Sequence, residues 1–180
     1  TVLGENALDA AVTGTFNTAI GKDVLTANTS GAVNTAIGAV ALDANTTGNN
    51  NVAIGVSSLG KNTTGGENIA VGTYSMQENL TGNNNTSLGY ASLSDNTASN
   101  NTAVGFRSLE SNTTGTQNTA LGALALDANT SGGGNSALGY GALGANTTGQ
   151  NNIAIGHSAL DANTTSNNNI AIGLSALGAN

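Results

Sequence analysis

The 180-residue chain has no cysteine, no proline and no tryptophan, a single histidine, and only three basic side chains: Lys22, Lys61 and Arg107. Each shortage removes a class of function. Without cysteine there is no disulfide scaffold, thiolate metal site or cysteine nucleophile. One histidine, His157, is too few for a histidine metal cluster or for a Ser-His-Asp triad in each of several units. Three cations against ten acidic residues give a net charge of −7. No basic stripe exists to neutralise phosphates, which excludes nucleic acid and an anionic membrane surface as partners. No apolar run approaches the roughly 20 residues of a membrane span, and the opening Thr1-Val2-Leu3-Gly4 does not read as a signal peptide. Neither a cofactor nor a metal is expected. Charge is scarce, at 7 % of residues, while 38 % are hydrophobic; such a chain collapses rather than staying solvated.

What the chain has is a repeat. A glycine closing an Asn-Thr-Ala-Ile-Gly-like motif recurs at Gly4, Gly21, Gly38, Gly55, Gly72, Gly89, Gly105, Gly122, Gly139, Gly156 and Gly173, every 17 residues except for one spacing of 16 between Gly89 and Gly105. Eleven units therefore fill residues 1–180 as one domain. With the motif's Asn as position one, position four is always aliphatic and position nine is Leu in every unit but one, where it is Met76. Positions three and eight are small, except for Val2 and Val24. Positions one and twelve are Asn columns, with Ala11 a departure from the second. Columns four and nine read as the packed core, represented by Ile37, Leu42, Ile54, Leu59, Ile155 and Leu160.

Seventeen residues are too few for a helix-pair repeat of about 33 or more, and Gly and Asn interrupt every turn of a would-be helix. Two short extended segments per unit are expected instead: one over positions two to four, the other carrying the position-nine Leu, with Asn-Thr-Thr-Gly as the return turn. Stacked coils pair in parallel at about 4.8 Å per layer, giving a rod on the order of 50 Å long. The fold class is all-β, a parallel β-solenoid. In it the Asn columns hydrogen-bond along the stack, and the position-five Gly marks a positive φ or a backbone approach too close for a Cβ. So thin a coil has little interior, so further apolar area is expected to be buried between chains, with small positions three and eight allowing close approach. The chain stops at Asn180 without a charged capping unit, which reads as a segment of a longer protein or of a fibre joined end to end.

The residues Asn34-Thr35-Ala36-Ile37-Gly38, followed by Ala41-Leu42, resemble the head repeats of trimeric autotransporter adhesins (YadA-like), which carry an Asn-Ser-Val-Ala-Ile-Gly motif. Arrays similar to Asn-Thr-Thr-Gly-x-Asn-Asn-x-Ala-Ile-Gly also occur in phage tail-fibre-like and surface proteins. The resemblance covers all eleven units, although the adhesin repeat is shorter and the extra residues here fall around the Asn-Thr-Thr-Gly turn. It implies a left-handed β-roll, three chains side by side or a filament, and an extracellular place on a cell or virion surface. The partners it implies are further copies of the chain and a host-cell receptor, matrix protein or glycan.

Against so regular a background the irregular residues are the candidate contact sites. Repeat position six holds Tyr90, Phe106 and Tyr140, then His157, with Tyr74 beside the column and Arg107 next to Phe106. Exposed rings on a small-residue surface suit a carbohydrate or protein receptor; they equally suit a chain–chain contact or a ladder in which they stack on one another. Two other functions stay open. Thr columns at positions thirteen and fourteen, including Thr46 and Thr63, are reminiscent of ice-binding solenoids, although adjacent Thr on a strand point to opposite faces. Surface carboxylates such as Asp95 could serve glycan cleavage only if two approached each other. The reading reached is a noncatalytic, structural and adhesive fibre segment.

Overall fold

The computed structural model describes residues 1–10 and 12–178; Ala11 and the chain end at Asn180 lie outside the described residues. Within them the chain winds into a parallel β-solenoid of about ten turns. Each coil contributes one strand of two or three residues, from β1 (Val2–Leu3) to β11 (Ile170–Ile172), and the eleven strands form one sheet in sequence order. Register follows the repeat: Ala36 sits over Ala53 and Ile37 over Ile54. The 16-residue spacing leaves it undisturbed, with Thr86 over Thr102 and Leu88 over Val104. The missing residue therefore comes out of a turn.

The alternation expected over positions two to four is present, but its inside and outside are the reverse of the sequence reading. Ala36, Ala53 and Ala154, at position three, are fully buried. Ile54 and Ile155, expected in the core, each keep 37 % of their surface on the outer face, and Ile37 is only half-buried. The reason is volume. The Leu42, Leu59 and Leu160 side chains already occupy the inside of the coil, at exposures of 0–4 %. Only a methyl group fits opposite them, so the branched side chains turn outward. Small residues at positions three and eight thus serve the coil's interior and not an approach between chains.

The second extended segment is also absent. Position nine lies in a turn, and its backbone is left-handed: φ is +49° at Leu42, +50° at Leu59 and +52° at Leu160. Position seven is left-handed as well, for example Val40 at +51°. A non-glycine residue in this region costs roughly 1–2 kcal/mol, here offset by complete burial of the Leu side chain at about 1.5–3 kcal/mol. The turn bonds to the next coil, through Leu42 N–H to Ser58 O at 3.1 Å and Ala44 N–H to Gly60 O at 3.3 Å, as well as within itself, through Asn45 N–H to Leu42 O at 3.2 Å.

Asparagine holds the rest of the coil. Asn34 Nδ2 and Asn45 Nδ2 both donate to the Gly48 carbonyl, at 2.9 and 3.1 Å. Asn51 and Asn62 do the same at Gly65, at 2.9 and 3.0 Å. Along the stack, Asn45 Nδ2 donates to Asn28 Oδ1 and Asn62 Nδ2 to Asn45 Oδ1, each at 2.9 Å. In the other column the Asn51 N–H donates to Asn34 Oδ1 at 3.0 Å. Buried amides are expensive unless satisfied, and among the described residues every buried side-chain polar atom but Asn79 Oδ1 has a partner. Glycine is required at two places. Gly38 has φ +127°, and a Cβ there would lie 2.6 Å from the Gly55 oxygen; a Cβ on Gly48 would collide with Asn45 Oδ1 and with the Gly65 carbonyl.

Candidate functional site

The turn that follows each strand carries the side chains singled out from the sequence. The Gly at position five reverses the chain and position six points outward. Its backbone is held in register by the position-seven N–H, which bonds to the preceding coil: Arg107 N–H to Tyr90 O at 2.9 Å, Leu124 N–H to Phe106 O at 3.0 Å, and Gly141 N–H to Ala123 O at 3.0 Å. Side chains at position six are thereby stacked one coil apart.

Three of the candidate rings form one group. Tyr74 meets Tyr90 edge to face, with centroids 5.9 Å apart. Tyr90 lies parallel to Phe106, with centroids 5.6 Å apart and planes 14° from parallel. Tyr140 and His157 form a second group, stacked at 5.1 Å and 21°. Between the groups, position six of the intervening coil is Ala123, so the column is broken by one missing ring. All five rings are exposed.

Charges line the same side of the rod. Arg107 forms an ion pair with Glu110 in its own turn, and that hydrogen bond, with the carboxylate's charge, raises the guanidinium's pKa further. Asp127, one coil on, is pushed above the usual carboxylate range by burial, which Arg107 partly opposes. Burial does the same to Asp43 and Asp95, where the negative charges of Glu110 and Glu78 add to it. Glu110 is nonetheless held by Arg107, and Glu78 by Lys61 at 2.7 Å. Among the described residues no group of three or more His, Asp or Glu side chains could hold a metal ion.

The threonine columns belong to the turns. Thr46 Oγ1 donates to the Thr63 carbonyl at 3.0 Å, and Thr63 Oγ1 to the Leu80 carbonyl at 2.9 Å. Two features escaped the sequence reading: the gap at Ala123, visible as a small residue in an aromatic column, and the outward aliphatic face of the sheet. Comparison with protein-family models, with curated proteins and with solved structures finds no match to this chain.

Proposed function

We propose that the chain is a noncatalytic structural and adhesive segment of an extracellular fibre, in which three copies lie side by side with the outer faces of their sheets together. The observation that carries this is the character of that face. Positions two and four run the length of the rod as Val, Ile, Leu, Thr and Ser, half-exposed, with Leu88, Leu121 and Leu138 keeping 39–45 % of their surface. None of the thirteen charged side chains stands in either column; all lie in the turns. A chain of net charge −7 associates with its own copies only through a face from which charge is withheld. Long contiguous apolar surfaces on a soluble chain mark contact sites.

The other readings have less support. The Thr46 and Thr63 hydroxyls already donate to backbone carbonyls, which ties them to turn closure rather than to an ordered-water surface. The carboxylates closest to Asp95 are engaged by Lys61 and Arg107, and this favours a role without turnover. Light scattering on the purified chain over a dilution series tests the proposal: three chains per particle supports it, and a monomer at all concentrations removes it.

A further inference from the structure

We propose that the gap over Ala123, between the Phe106 and Tyr140 rings, binds one pyranose ring of a neutral glycan. The proposal deepens the adhesive reading above, on which it rests, by naming the ligand class and the place.

The column sets the dimensions. Position-six rings in successive coils lie nearly parallel, as Tyr90 on Phe106 and Tyr140 on His157 show at 5.6 and 5.1 Å. Phe106 and Tyr140 are two coils apart, about 9.6 Å at roughly 4.8 Å per coil. A ring seated midway stands about 4.8 Å from each neighbour, within the roughly 4.5–7 Å at which faces of rings attract. The strand and turn registers are kept through this point: Gly122 lies directly beneath Gly139, and Leu124 and Gly141 both bond back to the preceding coil. The gap is thus a slot with aromatic walls and a methyl floor. Phe106 and Tyr140 keep 50 and 52 % of their surface exposed.

The occupant follows from shape and charge together. Two rings that flank a gap admit a flat body with apolar faces. Arg107, next in sequence to Phe106, and its ion-pair partner Glu110 supply a donor and an acceptor beside the column. A pyranose has C–H faces for the walls and an equator of hydroxyls that both donate and accept. An anionic sugar is disfavoured by the acidic rod, whose three cations are outnumbered by ten carboxylates.

The test is calorimetric titration of the intact chain with maltopentaose, cellopentaose and chitopentaose, with polygalacturonate as the anionic control. At least one neutral oligosaccharide is expected to bind and the control is not. Phe106→Ala is expected to weaken binding at least tenfold. Ala123→Tyr, which completes the column, is expected to abolish it while circular dichroism and particle mass stay unchanged. No binding by any neutral sugar, or binding that survives Ala123→Tyr, overturns the proposal. Mass measured on the same samples separates the two readings: trimers that bind no sugar remove the slot alone, and monomers that bind remove only the side-by-side packing.

Discussion

Among the described residues, Asn96 is the one asparagine of its column from Asn45 on whose amide does not reach the asparagine one coil below, here Asn79. Each other asparagine from Asn45 to Asn163 donates from Nδ2 to its predecessor's Oδ1 at 2.7–3.0 Å. The Asn96 amide donates instead to the Ala98 carbonyl at 2.8 Å, and Asn79 Oδ1 is left buried without a partner. The cause is the 16-residue coil, whose turn lacks one residue between Asn96 and Asn101. The parallel column crosses the same coil intact, through Asn101 N–H to Asn85 Oδ1 at 2.9 Å.

Insertion of one threonine between Thr97 and Ala98 restores the repeat length and is expected to close the ladder. An unsatisfied buried acceptor costs about 1–3 kcal/mol. A gain of ~1–2 kcal/mol corresponds to a melting temperature higher by roughly 2–8 °C. Calorimetry on the insertion variant measures it, and a lower melting temperature would show that the short turn is the better-packed form.

The inward alanine and outward isoleucine of one strand predict opposite tolerance at neighbouring residues. Ala53→Leu overfills a coil in which Ala53 is fully buried and is expected to destabilise the fold by about 1–3 kcal/mol or more. Ile54→Thr leaves the coil's interior unchanged; its expected effect is on the mass of the particle, with the circular dichroism spectrum retained. Chemical denaturation of both variants at low concentration checks the order.

The raised pKa values set a pH dependence. Burial lifts the Asp43 and Asp127 carboxyls above the ordinary 3.8, so the folded chain holds protons that the unfolded chain has released. Stability is therefore lost as pH rises from 3.8 through the raised values and is level above them. Acidification from neutral pH is expected to raise the melting temperature across that window. The double variant Asp43→Asn with Asp127→Asn is expected to reduce the slope, leaving the share of Asp95, which is raised as well; an unchanged slope would assign it to other groups.

The coil count, the parallel register and the asparagine ladders were legible because each is a property of columns, and stacking makes every column a row of contacts. Which face of the strand lies inside was not. An alternation of two sides carries no sign, and Ala36 beside Ile37 suggests the larger side chain as core when the interior has room only for the smaller. The turn at Leu42 was hidden for another reason: a left-handed leucine has no signature in its own identity, and only packing holds it there. The stacking of Tyr90 on Phe106 and of Tyr140 on His157 follows from adjacent coils in one column. Their separation into two groups follows from the alanine between them.

The side-by-side arrangement of three chains is tested most directly by particle mass, from light scattering or sedimentation of the purified chain across a hundredfold dilution. A constant mass of three chains is expected, falling toward one when Ile54→Asp and Ile155→Asp place charge on the uncharged face. A wild-type chain that is monomeric throughout, or a trimer indifferent to both aspartates, would contradict it.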